Sequence, residues 1–337
     1  MPVLTRSSAR RRRLPRAFAV LVAAVLLVGA GAAYQAYAGS RDAHRYRPPG
    51  ELVDVGTHRM HLYCTGAGSP TVVLDHASGS LSAQWALVQP RLALSTRVCS
   101  YDRSGYGWSE DAVDGSDVQT QARELRILLE RAGERGPFVH VGHSSGAFVG
   151  TVLAAEHPEL VAGLVMVEPG YAWGTPGVPR DVDEQVRHQE QLLARVNPWA
   201  ARSGLVRLLV PLLTGGHDLP PTYREAYDAL VLTSRQFLTS AAEIEASEGT
   251  SPRVLAAQEH LGVTPVVVLS AQAGPGDRTM QAVQRAHAHI AAASRRGEHH
   301  VVPGTDHMGI VLRARPAAAV AERVQGLVVD LRARSGV

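Results

Sequence analysis

A mostly parallel, eight-stranded α/β sheet with helices on both faces and a helical cap insertion is the fold the sequence predicts. Three observations predict it. Short apolar runs alternate with amphipathic segments, the pattern of strands joined by helical crossovers that cover both faces of a sheet. The run Phe138–Val141 drives straight into Gly142-His143-Ser144-Ser145-Gly146, a strand–turn–helix junction. The long stretch between Glu168 and Pro265 holds no clear strand, so it reads as an insertion over the strand ends.

The elements follow in order. Residues 1–38 read as an N-terminal membrane anchor or signal sequence. Arg6, Arg10–Arg13 and Arg16 precede the run Ala17–Ala33, which has no polar side chain. Continued to Ala38, the stretch has the length of a membrane-spanning helix, and its basic flank predicts a cytoplasmic N-terminus with residues 39–337 outside. Ala36-Tyr37-Ala38 also fits a signal-peptidase site, which would release a secreted protein instead. Residues 39–50, with Pro48-Pro49, read as a linker, and 51–337 as the folded domain.

Leu52–Val55 and His58–Cys64 form a strand pair closed by Gly66-Ala67-Gly68. Val72–Leu74 and Arg97–Tyr101 are buried strands. Ser116–Ala132 is a helix with Val118, Ala122, Leu125 and Leu129 on one face and Asp117 near its start. Phe138–Val141 leads into a helix from Ser145 to His157, with Val149, Val152 and Leu153 at helical spacing. Leu164–Val167, Pro265–Ser270 and His299–Val302 complete the strands. A last helix starts at Pro316, a favoured first-turn residue. The cap, about 171–258, reads as helices over Asp181–Val196, Leu205–Leu213 and Pro221–Glu248. Its apolar Leu205, Val206, Leu208, Leu209, Leu212 and Leu213 point to a lipophilic substrate.

Composition narrows the chemistry. All 34 basic residues are Arg, so a phosphate-binding loop lysine or a Schiff-base lysine is impossible. The first 38 residues carry six Arg and no acid, a charge of +6 against a net of +3, which leaves the folded part mildly acidic at −3 and gives no argument for nucleic-acid binding. Cys64 and Cys99, the two cysteines, fall on adjacent strands, where an exported protein would bridge them; two buried thiols are the alternative. No His-Glu-x-x-His and no cysteine pair at ligand spacing is present, so neither a metal nor a cofactor is expected.

Gly-x-Ser-x-Gly at a strand–helix junction needs a sharp turn, and small residues at 142 and 146 permit it. The turn lifts the Ser144 hydroxyl towards a helix N-terminus, where free N–H groups can hold an oxyanion. Serine needs a base, and His307, between the last strand and last helix, is well placed for it. His299 and His300 read as structural, His143 and His76 as shaping the pocket. The acid that orients His307 is Glu168, at the end of Leu164–Val167, or Asp277, in the loop after the next strand; Asp306 is a remote third. The oxyanion donors are the Ser145 amide and one from the turn after Val72–Asp75, Ser78 before Ala77.

These motifs resemble the α/β-hydrolase superfamily of the serine-hydrolase type across about 51–335. Tyr101-Asp102-Arg103-Ser104-Gly105-Tyr106-Gly107-Trp108-Ser109 is similar to the family's loop after strand four, and Gly142–Gly146 to its nucleophile elbow. His76-Ala77 departs from the His-Gly that often follows strand three, which leaves the second oxyanion donor open. Ser144 excludes the nucleophilic aspartate of related dehalogenases, whose acid position Glu168 resembles. The resemblance implies an esterase-like enzyme that cleaves a small lipophilic acyl substrate through an acyl-enzyme. An acyltransferase, a cofactor-free haloperoxidase or a peptidase would use the same triad, and a non-catalytic binding module could use the same scaffold.

Overall fold

The structure is a computed structural model and describes residues 16–111, 115–207 and 216–335. Eight strands form one sheet: β1 (Glu51–Asp54), β2 (Arg59–Thr65), β3 (Val72–Asp75), β4 (Val98–Tyr101), β5 (Phe138–His143), β6 (Val161–Val167), β7 (Val266–Ala271) and β8 (Gly297–Val302). Their order is β1-β2-β4-β3-β5-β6-β7-β8. β1 and β2 pair antiparallel, as do β2 and β4; every later pairing is parallel. The predicted fold class therefore holds.

The helices are α1 (Arg16–Arg45), α2 (Gln89–Leu92), α3 (Val118–Arg131), α4 (Gly146–Glu156), α5 (Arg180–Arg202), α6 (Pro221–Leu230), α7 (Ser234–Glu245), α8 (Ser247–Glu259), α9 (Arg278–Ala292), α10 (Gly309–Leu312) and α11 (Ala314–Ser335). Strand alternation divides the core into two layers, one on each face. Val72, Leu74, Val139, Val141, Val165, Val167 and Leu269 pack with Trp85 and with Val320, Val324 and Val328 of α11. Val73, Phe138, Leu164, Met166 and Val268 pack on the other face with Leu125 and Leu129 of α3, Val149 and Val152 of α4 and Ile290 of α9. Because both faces are covered, the central strands are continuous apolar runs rather than alternating ones.

Cys64 and Cys99 lie directly opposite each other in the β2–β4 pairing and are bridged by a disulfide. Among the described residues, the grouping of Cys64, Cys99 and Glu134 has metal-ligand spacing, but both its sulfurs are joined in that bridge.

Two local expectations change. The predicted helix Pro221–Glu248 is broken after Leu230, because Thr233 takes an extended backbone and its side chain accepts from the Gln236 amide, starting α7 afresh. The stretch 39–50, read as a linker, stays helical to Arg45, because polar side chains dock that end. Gln35 donates to the Leu232 carbonyl at 2.8 Å, and buried Asp42 pairs with Arg207 at 2.7 Å. Of the predicted cap helix Leu205–Leu213, residues 208–213 lie outside the described residues, Leu208, Leu209, Leu212 and Leu213 among them.

α5–α8 lie in sequence between β6 and β7 and contact the loops that follow β3 and β4. Ser240 bonds Ser78 at 3.0 Å, Arg235 donates to the Gly107 and Ser109 carbonyls, and Gln236 donates to the Ser80 carbonyl. The helical insertion is thus fastened over the carboxyl ends of the central strands, where such sheets hold their ligands.

Candidate active site

β5 is buried throughout and ends at His143. Ser144 then turns the chain with φ +54°, its amide held by the Val167 carbonyl at 3.1 Å, and α4 starts at Gly146. Both flanking glycines are required by contact. A Cβ on Gly142 would stand 2.4 Å from the Ala147 nitrogen, and one on Gly146 would stand 2.8 Å from the His76 carbonyl oxygen. Real side chains do not tolerate such distances, so these positions admit only glycine. The Gly146 contact also presses the turn after β3 against the start of α4.

The next strand repeats the device. β6 ends at Val167, and Glu168 takes φ +44° with its amide held by the Leu269 carbonyl at 2.6 Å. Its buried carboxylate accepts the Ala271 amide at 2.8 Å on Oε1 and His307 Nδ1 at 3.2 Å on Oε2. Burial pushes this carboxyl up, but the hydrogen bond from His307, the nearby imidazoles of His287 and His307 and the Ala271 amide outweigh it and hold it below the usual glutamate value. Glu168 is therefore an anion at neutral pH.

His307 follows β8 on a short loop. Asp306 shapes that loop by accepting the Met308 and Gly309 amides at 3.2 and 2.7 Å. His143 Nε2 donates to the His307 carbonyl at 2.9 Å, while its Nδ1 accepts from Gln84 at 3.4 Å. The two rings lie 5.0 Å apart. Burial and the neighbouring His307 keep His143 well below the ordinary imidazole value, so it stays neutral and supports the loop. The His307 side chain itself is 46% exposed, which leaves its Nε2 edge accessible. No hydrogen bond joins the Ser144 hydroxyl to His307 among the described contacts; such bonds commonly tighten only when substrate binds.

Of the two predicted acids, then, Glu168 reaches His307. Asp277 does not: it is exposed and caps α9, accepting the Met280 amide at 2.9 Å. Among the predicted oxyanion donors, Ser145 opens α4, and Ser78 sets its hydroxyl between Tyr106 and Ser240 at 3.1 and 3.0 Å. The Ala77 amide is already directed at Gln84 Oε1, 3.4 Å away. His76 is buried; its Nδ1 donates to the Ala77 carbonyl and its Nε2 accepts the Arg103 amide. His299 bonds the Ser270 hydroxyl, which also bonds His287 beside Glu168, while His300 bonds Glu298.

Two buried groups escape a reading of the sequence. Arg103 pairs with Asp75, donates to the His76 carbonyl and to Glu243 on α7, and reaches the Ser145 hydroxyl at 3.3 Å. It ties the insertion to the base of the site. His287, on the apolar face of α9, sits 3.7 Å from Glu168 and donates to the Pro169 carbonyl. Nothing local marks it: its Nδ1 accepts from the Ser270 hydroxyl of β7 at 2.6 Å, and its other partners, Glu168 and Pro169, lie more than a hundred positions away in the chain.

Beside the site lies a cavity of about 560 Å³, bounded by Gly79, Asp306 and Met308 and by Val231, Leu232 and Phe237 of the insertion; Arg224 and Asp228 add polar groups.

Residues 72–323 match the family described as the alpha/beta hydrolase family. An AB hydrolase superfamily protein of Gibberella zeae is 30% identical over 201 residues, 57% of this chain and 58% of its own length. The chain spans about half or less of the curated relatives it matches first. Among solved structures, an esterase of Thermogutta terrifontis is 19% identical with a TM-score of 0.60, covering 82% of this chain and 98% of its own. A haloalkane dehalogenase of Bradyrhizobium elkani is 17% identical with a TM-score of 0.66, covering 84% of this chain and 98% of its own. At these identities the structural likeness speaks for the fold alone.

Proposed function

The chain belongs to the alpha/beta hydrolase family, and from that premise we propose that it is a membrane-anchored serine hydrolase acting on a lipophilic carboxylic ester. Ser144 attacks the acyl carbonyl. His307 Nε2 takes the hydroxyl proton and returns it to the leaving alcohol, and water then releases the acyl group by the same route in reverse. The observation that carries this reading is the His307 Nδ1 bond to Glu168, which fixes the tautomer that leaves Nε2 free to accept a proton. The positive φ of Ser144, at the joint between β5 and α4, supports its role as nucleophile.

The oxyanion forms against the amides of Ser145 and Ser78, each worth about 3–4 kcal/mol in the barrier. Ser78 is preferred to Ala77 because the Ala77 amide is engaged by Gln84. α5–α8 act as a cap, and the apolar wall of Val231, Leu232, Phe237 and Met308 receives the acyl chain.

The anchor is α1. Phe18–Arg45 contains a stretch long and apolar enough to cross a membrane. Phe18, Val20, Leu21, Val25, Leu26, Leu27 and Val28 are exposed, whereas Gln35, Ala38 and Asp42 are packed. One helix thus carries a lipid-facing half and a docked half. The docked half favours an uncleaved anchor, since cutting after Ala38 would remove the Gln35 contact.

Turnover of p-nitrophenyl acetate and butyrate tests the reading. Wild type hydrolyses both and Ser144→Ala neither; unchanged turnover in the variant refutes the assignment.

A further inference from the structure

α5 carries two unlike faces. Ala194, Pro198 and Ala201 are buried, whereas Leu192, Val196 and Trp199, at the same four-and-three spacing, project from the opposite side. Leu192 is 54% exposed, Val196 51% and Trp199 73%, and Leu205 beyond the helix is 49% exposed. An apolar stripe of this kind, held in water, is a binding surface without its partner.

α1 identifies the partner. A Cβ on Gly31 would stand 2.0 Å from the Ser203 carbonyl oxygen, and one on Gly204 would stand 2.8 Å from the Gly31 oxygen. The two backbones therefore touch, and they touch inside the apolar run Ala17–Ala33. Gly31 lies two positions from the end of that run, about 3 Å along the helix axis at 1.5 Å per residue. Ser203 is held at this level, and Trp199 is one helical turn away. The interfacial layer of a bilayer is several ångströms deep on each side, enough to include both. The chemistry agrees. From Leu192 to Leu205 there is no acidic residue, Arg195 and Arg202 are exposed, and the Arg202 guanidinium lies 5.8 Å from the Trp199 ring centroid. Tryptophan with arginine beside an apolar stripe is the composition of an interfacial helix on anionic lipid.

We propose that the stripe of α5, led by Trp199 with Val196 and Leu205, is seated in the phospholipid interface beside α1, so that the cap rests on the membrane. The proposal rests on the reading of α1 as a membrane anchor. In this arrangement α1 and α5 are two points of one attachment, and the cap cannot swing freely on its tether.

The test uses the full chain reconstituted in vesicles of phosphatidylcholine and phosphatidylglycerol, with and without bromine on the acyl chains. Flotation after carbonate washing reports the anchor; quenching of tryptophan emission by the brominated lipid reports α5. Trp85, Trp108 and Trp173 are buried or half-buried, so the quenched component should belong to Trp199. The expected result is bromine-dependent quenching in wild type that is lost in Trp199→Phe, with both proteins floating. Floating protein whose quenching is absent, or the same in the variant, overturns the seating of α5 while the anchor stands. Protein that fails to float overturns the anchor and the inference with it.

Discussion

Ser144 and Glu168 are the two non-glycine residues held at positive φ among those described, and they stand at the ends of the adjacent strands β5 and β6. A backbone held there costs on the order of 1–3 kcal/mol and persists where its surroundings enforce it, most often at functional sites. Glu168→Gln keeps the shape of the side chain but cannot stabilise an imidazolium, so kcat should fall by about 10³–10⁴. Asp277→Asn should leave kcat within about twofold and lower stability by at most about 1 kcal/mol, because asparagine caps a helix nearly as well. The two variants measured side by side discriminate the acids: loss of kcat in Asp277→Asn would overturn the choice of Glu168. The histidines set the response to pH. Burial, with the Arg103 charge beside it, takes His76 down to about 4. Burial likewise takes His287 down to about 4. Both values lie below the unfolded value, so the unfolded chain binds more protons between them. Stability is therefore full above about pH 6.5 and falls as pH drops towards 4, by up to roughly 1 kcal/mol per pH unit for each histidine. Urea midpoints measured from pH 7 to 4.5 should decline through this window; a flat profile would contradict it.

At the scale of elements, the central strands and their helices were legible because each writes its own pattern. β3, β5, β6 and β7 are apolar runs of strand length, and α3 shows its buried face at helical spacing with Asp117 as its cap. The elbow was legible because Gly142 and Gly146 meet contacts that forbid any other residue. The choice between Glu168 and Asp277 was not, since it depends on where β6 and β8 come to rest beside each other around β7. Nor was the break at Thr233, a local cap inside a stretch of helix-forming residues. The docked half of α1 was hidden for a similar reason: nothing in the sequence around Gln35 and Asp42 points to their partners Leu232 and Arg207, which lie more than a hundred and sixty positions away. Two predictions belong here. Gly146→Val should abolish turnover and destabilise the fold by several kcal/mol, because its side chain must displace the His76 carbonyl. Removing the Cys64–Cys99 bridge, which closes a 35-residue separation, should lower stability by about 2–4 kcal/mol without changing kcat. A denaturation midpoint insensitive to reductant would contradict the second.

For the whole molecule, the parts form one chain of support from the N-terminal apolar helix α1 to the turn that carries Ser144. α1 docks on the insertion through Gln35 and Asp42, the insertion is fastened to the strand ends through Ser240, Arg235 and Glu243, and Arg103 carries that fastening to Ser145. The sheet beneath brings Ser144, Glu168 and the loop of His307 to its carboxyl edge. The central claim is that this edge holds an activated serine. Fluorophosphonate labelling followed by peptide mass mapping tests it most directly. The account predicts one adduct per chain on the peptide that contains Ser144, absent in His307→Ala, whose serine keeps its place but has no base. A folded protein that takes no label, or that takes it on another residue, would contradict the account.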